Sequence, residues 1–259
     1  MNHENDRRLA KSEWPDLVQR VRERTPARLL QGRAGASYRT ATQIELREAH
    51  AAARDAIRAE LNTEADLGAD LVRAWHLFDA YTEARDKDQY LLRPSLGRLF
   101  CEASRQAIAE RCCKGSDLQI VIGDGLSVAA VSSQVPALLP LLKQGAQDRG
   151  LSIGRAFVVH HCRVGILNEI GELLDPAVAV LLIGERPGLA TAESLSAYMA
   201  YRPRRHHSDA NRNLVSNIHS RGVNSAKAAK GILNLAAQMM RGKVSGYTLR
   251  ENMTSLADE

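Results

Sequence analysis

A run of seven apolar residues at positions 177–183, AVAVLLI, is followed directly by GERPGL. An apolar run of this length, ended by glycine and proline, is typical of a strand that is buried on both faces of a sheet. Just past the run stands Glu185, whose carboxylate would be costly to bury without a partner. Glu185 therefore either caps a neighbouring segment or forms a surface salt bridge, or it faces a crevice where a ligand binds.

Further apolar runs after residue 114 alternate with helical patterns. The predicted strands are LQIVIG at 118–123, GRAFVVHHC at 154–162, the run at 177–185 and LSAYMAYRP at 195–203, and the predicted helices cover about 127–147, the residues up to 174, and 225–241. Apolar strands that alternate with helices predict a mainly parallel sheet with both faces covered. We therefore predict an α/β fold with a Rossmann-like, mainly parallel α/β domain at residues 114–259.

Residues 1–113 show helical periodicity instead. Apolar residues recur at helical spacing over 14–21, and Thr42 precedes Glu45 by three residues. This spacing predicts a capping box at the start of a helix that runs to residue 57. Further helical segments are predicted over 67–84 and 99–111. We predict a helical N-terminal region over 1–113, with a domain boundary where the pattern changes at 114–117.

Polar residues follow three of the predicted strands. Asp124 and Arg163 lie just past the ends of the first two strands, as Glu185 does past the third. In open α/β sheets, ligands bind outside the carboxyl ends of the strands, at a topological switch point. We expect these three side chains to line one ligand-binding edge. A plain cap or salt bridge at Glu185 is the alternative.

The segment GDGLSV at 123–128 follows a strand and opens a helix, as a dinucleotide-binding fingerprint does. Val128 takes the place of the third glycine, and no clear acidic ribose partner closes the next strand, so a conventional NAD site is not predicted. Close approach of a ligand phosphate and a simple tight turn between strand and helix both remain open.

Composition narrows the class of protein. Apolar residues make up 44% and charged residues 25% of the chain, as in ordinary globular proteins. No apolar run reaches the roughly 18 residues of a membrane span, and the N-terminus lacks the apolar core of a secretory signal. The four cysteines lack zinc-ligand spacing, and the pairs His160–His161 and His206–His207 are adjacent. We predict a cytoplasmic protein with reduced thiols, no metal site and no membrane association.

The net charge of +5 leaves nucleic acid, a phosphate-bearing ligand and an acidic protein surface as partners. Basic residues concentrate in YRPRRHHSDANRNLVSNIHSRG at 201–222, where Tyr201 is the only aromatic residue, which weakens a prediction of base stacking. A non-catalytic α/β module that binds a nucleotide or RNA through this segment is one functional hypothesis. It predicts an affinity that falls steeply with salt.

Four segments resemble the small (light) subunit of ethanolamine ammonia-lyase. They are TPARLLQGRAGASYRTATQIELREAHAAARDAI at 25–57, IGDGLS at 122–127, LLIGERPGL at 181–189 and SNIH at 216–219. Their order and spacing match over nearly the whole chain, and LIGERPGL with SNIH is the specific signal. The resemblance implies ethanolamine catabolism by an adenosylcobalamin-dependent lyase, which converts ethanolamine to acetaldehyde and ammonia by a radical mechanism.

The resemblance also implies that a separate large subunit holds ethanolamine and forms a hetero-oligomer with this chain. Cobalamin would lie at the interface between the two subunits. Val164, Glu185 and Leu214 match the family's cobalamin contacts, although the family often has cysteine at the position of Leu214. It implies no catalytic acid or base in this chain, and no nucleic-acid partner.

The segment before Thr25 departs from the family pattern. Its amphipathic helix is expected to be a tail that directs the enzyme to a bacterial microcompartment or modulates its solubility. An ordinary first helix is the alternative.

Overall fold

The computed structural model describes residues 16–25, 29, 31–188 and 191–249. The helices are α1 Asp16–Arg24, α2 Thr40–Arg58, α3 Thr63–Leu67, α4 Ala69–Trp75, α5 Lys87–Leu92, α6 Glu102–Arg111, α7 Val128–Gln147, α8 Ile166–Leu174 and α9 Ser225–Gly242. The strands are β1 Arg33–Ala34, β2 Ser37–Tyr38, β3 Asp79–Tyr81, β4 Leu118–Gly123, β5 Phe157–His160, β6 Val178–Gly184, β7 Leu195–Tyr201 and β8 Asn213–Ile218. Short 3₁₀ helices cover Leu96–Arg98 and Asp209–Asn211.

Six of these strands form one sheet in the order β3-β5-β4-β6-β7-β8. The first four strands in that order are parallel to their neighbours, and β7 and β8 join in antiparallel pairing. β1 and β2 make a separate antiparallel pair. The α/β fold and the mainly parallel sheet predicted from the sequence are therefore confirmed.

Two apolar layers cover the sheet. α7 and α9 pack on one face, where Leu138 and Ile232 are buried with the side chains of β4 and β6 that point that way. α6 and α8 pack on the other face, where Ile108 and Ile170 join the opposite side chains of the same strands. Every residue of β4 and β6 is buried as a result. This explains why both strands are almost entirely apolar instead of alternating, with Gln119 as the one polar residue of β4.

Four strands were not predicted from the sequence: the short pair β1 and β2, and two strands of the six-stranded sheet, β3 and β8. The predicted helix over 67–84 is wrong in its second half: α4 ends at Trp75, the next residue, His76, takes a left-handed conformation, and β3 follows. In β3, buried Ala80 lies between exposed neighbours, an alternation too short to outweigh the helical pattern around it. β8 is a half-exposed edge strand with polar residues, so it lacks the apolar signal of the other strands.

The expected capping box at Thr42 is also wrong. α2 begins earlier, at Thr40, with Arg39 as N-cap and no capping hydrogen bond from its side chain, and Thr42 is buried within the first turn.

The helix predicted over 14–21 starts outside the described residues, and its described part belongs to α1. The domain boundary near 114 stays a prediction; β3, which precedes it, pairs with β5.

The connections of β4 and β5 leave the sheet on opposite faces. β4 leads into α7 on one face, whereas β5, its parallel neighbour, leads into α8 on the other. This divergence is the topological switch point at which open α/β sheets bind ligands. The fold therefore predicts a ligand site at the carboxyl ends of β4, β5 and β6.

Candidate functional site

A small crevice lies at these carboxyl ends, and we call it the strand-end crevice. It is lined by the last two residues of β6, by the segments after β4, β5 and β6, and by one residue each of α5 and β7: Tyr90, Gly125, Leu126, Cys162, Arg163, Val164, Ile183, Gly184, Glu185 and Tyr198. Its volume is about 70 Å³, far below the roughly 300–1,000 Å³ of pockets that enclose a whole small-molecule ligand. The crevice has room for one edge of a larger ligand.

Glu185 and Tyr198 of β7 both line this crevice. The two residues meet because β6 and β7 form a hairpin, and the backbone N–H of Glu185 donates to the carbonyl of Ser194 at 3.0 Å. Burial raises the pKa of Tyr198, and the nearby Glu185 carboxylate raises it further. Tyr198 therefore stays protonated at neutral pH, beside the half-buried Glu185 carboxylate.

Leu214 lies next to Tyr198 on the neighbouring strand. The register of β7 and β8 pairs these two residues directly, and Leu214 is 47% exposed. Side chains of paired residues in adjacent strands share one face of a sheet. Leu214 thus presents apolar surface beside the residue that contacts Glu185.

Val164 lines the crevice from the turn between β5 and α8 and is half-buried. Beside it, the Arg163 guanidinium donates to the carbonyl of Tyr90 at 3.0 Å and stacks 4.1 Å from the centre of the Tyr90 ring. The structure therefore places Val164 and Glu185 in one crevice and Leu214 on the strand beside it. Tyr198 connects the last two.

Asp124 does not line the crevice, contrary to the expectation that it would share a ligand-binding edge with Arg163 and Glu185. Its side chain is fully buried. It accepts hydrogen bonds from the backbone N–H groups of His161 and Cys162, at 2.9 and 2.8 Å, and pairs with the Lys87 ammonium at 3.4 Å. These donors satisfy the carboxylate from within the protein, so Asp124 holds the loop after β5 in place.

Asp124 also belongs to a group of possible metal ligands. Within the described ranges, Glu60, Asp124 and His161 bring one ligand atom each to within 4.8 Å of one another. Lys87 already supplies a positive charge to Asp124, and the two nitrogens of the His161 ring contact the Ala84 carbonyl at 2.9 Å and Glu60 at 3.1 Å. These contacts explain the cluster without an ion, and we assign no metal to it.

The glycines of the GDG turn are required by contacts within the protein. Gly125 has a left-handed φ of +59°, and a Cβ atom there would collide with the Gly184 carbonyl oxygen. A Cβ atom on Gly184 would in turn meet the backbone of Ser127 and Asp124. The loop after β4 and the end of β6 pack backbone against backbone, which favours the tight turn over the approach of a ligand phosphate at this point.

Other ionisable groups at the crevice keep their protons. Burial strongly raises the pKa of the Cys162 thiol and that of the Tyr90 hydroxyl, which donates to the Cys162 carbonyl at 3.1 Å. A thiol in this state is a poor nucleophile. The four cysteines are free, as the sequence predicted.

Three of the five arginines in the basic segment at 201–222 pair with acidic neighbours. Arg202 and Arg204 both pair with Asp175, and Arg212 pairs with Asp209. These pairs reduce the positive field that an RNA-binding face would need. None of the helices within the described residues is both long and apolar enough to cross a membrane.

A family model described as ethanolamine ammonia-lyase light chain matches residues 15–250 of this sequence. The chain belongs to the ethanolamine ammonia-lyase light chain family. It is 40% identical over 230 residues to the ethanolamine ammonia-lyase small subunit of Clostridium perfringens, a match that covers 89% of this chain and 76% of that protein. Matches to the small subunits of Listeria monocytogenes (40% identity; 89% and 77% covered) and Fusobacterium nucleatum (39%; 89% and 76%) are similar.

The family resemblance stated from the sequence is thereby confirmed. In this member of the ethanolamine ammonia-lyase light chain family, Tyr198 also lines the crevice, a contribution not predicted from the sequence. The segment LSAYMAY carried a signal for Tyr198, because a strand that follows GERPGL after a short loop is expected to pair with the strand before it. No sequence pattern indicated Tyr90, because α5 is distant from these strands along the chain and lies beside the crevice only in the folded protein.

Proposed function

We propose that this chain is the small subunit of an adenosylcobalamin-dependent ethanolamine ammonia-lyase, which converts ethanolamine to acetaldehyde and ammonia together with a large subunit. Membership of the light chain family over residues 15–250 is the observation that carries the proposal. The relatives named as small subunits of this enzyme support the same role. Ethanolamine would be held by the large subunit.

The strand-end crevice suits the edge of a cobalamin. Val164 and Leu214 offer apolar surface, and Glu185 offers a carboxylate. A volume of about 70 Å³ cannot enclose so large a cofactor, so most of it would need the surface of a second chain. When bound, adenosylcobalamin supplies the radical chemistry, and the protein supplies binding and orientation.

Within this arrangement each of the three residues has a distinct part. The Glu185 carboxylate would accept hydrogen bonds from the corrin amides or a ribose hydroxyl, and the protonated Tyr198 would hold it in place. Val164 and Leu214 would pack against the cofactor. Leucine has no thiol, so any polar contact that a cysteine makes at position 214 would be replaced here by an apolar or backbone contact.

We further propose that this chain supplies no catalytic acid or base. Tyr90, Cys162 and Tyr198 are the groups at the crevice whose pKa values are raised. A general acid or base works best with a pKa near the operating pH. The raised pKa values of these three groups therefore make them poor proton-transfer groups and favour a role in binding.

Exposed apolar residues near the start of the described chain support a partner subunit. Leu17, Tyr38 and Ile44 are 64%, 42% and 60% exposed, and α2 buries little of its surface. An amphipathic helix such as α2, in which Thr42 is the one fully buried residue, leaves an apolar face that another chain would cover. The large subunit is the partner that the family name implies.

The proposal is tested by co-expression with a large subunit of the family. Acetaldehyde formed from ethanolamine would be measured with added adenosylcobalamin, omitting each chain and the cofactor in turn. We expect activity only with all three. A folded, assembled complex without activity would contradict the proposal. A chain that formed no complex and bound RNA in a salt-dependent manner would instead favour the nucleic-acid module.

The location of the enzyme is a separate proposal. We propose that the enzyme is cytoplasmic and that the segment before Thr25 directs it into a bacterial microcompartment. Deletion of residues 1–23 should then abolish packaging and leave the activity unchanged. Co-sedimentation with isolated compartments measures this. Unchanged packaging would mean that α1 is an ordinary first helix.

A further inference from the structure

A second and larger cavity adjoins the strand-end crevice on the α6–α8 face of the sheet. It has a volume of about 630 Å³ and is lined by four arginines, Arg98, Arg105, Arg205 and Arg212, and by Glu169 and Asp209 among other residues. We call it the arginine pocket. It neighbours the crevice, since Gly165, which lines the pocket, directly follows Val164, which lines the crevice.

The arginine pocket carries an excess of positive charge. Glu169 pairs with Arg105 and Asp209 pairs with Arg212. Arg98 and Arg205 make no ion pair with a carboxylate anywhere in the described part of the chain. Two of the four guanidinium groups are therefore left without an anion.

Of the four arginines, Arg212 is the one that is buried with an unsatisfied hydrogen-bond donor. Its side chain is only 6% exposed, and one nitrogen of its guanidinium donates to the Asn168 amide oxygen at 3.0 Å. Its Nε is buried without a hydrogen-bond partner. Burial lowers the pKa of Arg212, and repulsion from Arg98 lowers it further. A buried donor with no acceptor is costly, and an anion in the pocket would relieve that cost.

The remaining walls also favour an anionic ligand. The aliphatic part of Arg98 packs over Gly165, where a Cβ atom would lie 2.8 Å from the Arg98 Cγ, and this holds Arg98 against the start of α8. His207 lines the pocket, and its pKa is lowered by burial, so it is neutral at neutral pH. Its Nδ1 accepts from the backbone N–H of Arg204 at 3.3 Å, which places the ring proton on Nε2 as a donor.

We propose that the arginine pocket binds a phosphate group through Arg98, Arg205 and Arg212. Several guanidinium forks with a neutral donor match the tetrahedral oxygens of phosphate, which arginine binds through paired hydrogen bonds. The source of the phosphate rests on the proposed function: the nucleotide loop of cobalamin contains a phosphodiester, and the pocket adjoins the crevice assigned to that cofactor. Free phosphate is the second source of the same chemistry.

The test uses the assembled two-subunit complex with a double variant, Arg98→Gln with Arg205→Gln. Both side chains are exposed, so the variant should fold. Arg241→Gln, on an exposed position of α9 at the opposite face, is the matched control. Equilibrium dissociation constants are measured for adenosylcobalamin, for adenosylcobinamide, which lacks the phosphodiester, and for inorganic phosphate.

We expect the double variant to bind adenosylcobalamin at least about tenfold more weakly, the size of a lost charge-assisted hydrogen bond, and adenosylcobinamide within about twofold of the unsubstituted complex. Weaker binding of inorganic phosphate with unchanged cofactor binding would support the site with free phosphate as its ligand. Unchanged affinity for both phosphate-bearing probes would overturn the proposal. If the unsubstituted complex bound no cobalamin, the proposed function would fail, and the phosphate measurement would still decide this site.

Discussion

The segments after β4 and β6 each place a carboxylate at the end of a parallel strand, and the two strands are neighbours in the sheet. Asp124 is fully buried and is met by Lys87 and by two backbone N–H groups. Glu185 is half-buried, contacts Tyr198 and faces the crevice. Position at a strand end therefore does not decide whether an acidic residue can serve a ligand. The number of donors that the rest of the fold supplies decides it.

The largest expected effect is on stability, at Asp124. Asp124→Asn removes the charge that faces buried Lys87 and should reduce the free energy of unfolding by about 3–5 kcal/mol, the cost of leaving one member of a buried ion pair alone. Chemical denaturation of the purified chain measures it.

Two controls sharpen this result. Asp88→Asn breaks the exposed pair with Arg58 and should cost under about 1 kcal/mol. Adding Lys87→Met to Asp124→Asn should restore part of the loss, because the uncompensated charge is then gone. A loss at Asp124 no larger than that at Asp88 would remove the distinction between the two strand ends.

The second effect is on ligand binding, at Glu185. Glu185→Gln keeps the shape of the side chain, so the free energy of unfolding should change by less than about 0.5 kcal/mol. The affinity of the assembled enzyme for adenosylcobalamin should fall about tenfold, because a carboxylate accepts stronger hydrogen bonds than an amide.

Glu193→Gln is the matched control, since Glu193 is exposed in the same loop between β6 and β7. Its replacement should leave both quantities unchanged. Unaltered cobalamin affinity in Glu185→Gln would sink the assignment of Glu185 as a cofactor contact.

The smallest effect is a dependence of stability on pH, through Tyr198. Its pKa is raised by burial and then by Glu185, so the folded chain holds this proton more tightly than the unfolded chain, whose tyrosines titrate near 10. The contribution of Tyr198 to the free energy of unfolding is fully present below about pH 10. It is lost as the pH rises above about 10, by at most about 1.4 kcal/mol per pH unit.

Glu185→Gln should make that loss smaller without abolishing it, because burial of Tyr198 remains. Unfolding free energies at pH 9 and pH 11, compared between the unsubstituted chain and the variant, measure the difference. Tyr198→Phe removes the contribution altogether and serves as the reference. An equal loss in the unsubstituted chain and in Glu185→Gln, with a smaller loss in Tyr198→Phe, would show that Glu185 does not act on Tyr198.

Sequence patterns predicted the features that depend on neighbours along the chain. The apolar run before Glu185 located β6, and its polar end located the crevice. Asp124 follows β4 in the same way, but its partner Lys87 comes from a distant segment, so no local pattern could show that it is satisfied. The arginine pocket has the same origin, because Arg98, Arg105 and Arg212 lie in separate segments of the chain that meet only in the folded structure.

The β6–β7 hairpin also has a consequence for the order of events during folding. Contacts across a hairpin close a short loop, whereas contacts between distant segments must wait for larger loops to close. We expect the wall that carries Glu185 and Tyr198 to form early, and the contacts of Asp124 to form after the transition state. Substitution of Asp124 should then act chiefly by shortening the lifetime of the folded chain, with little change in how fast it refolds.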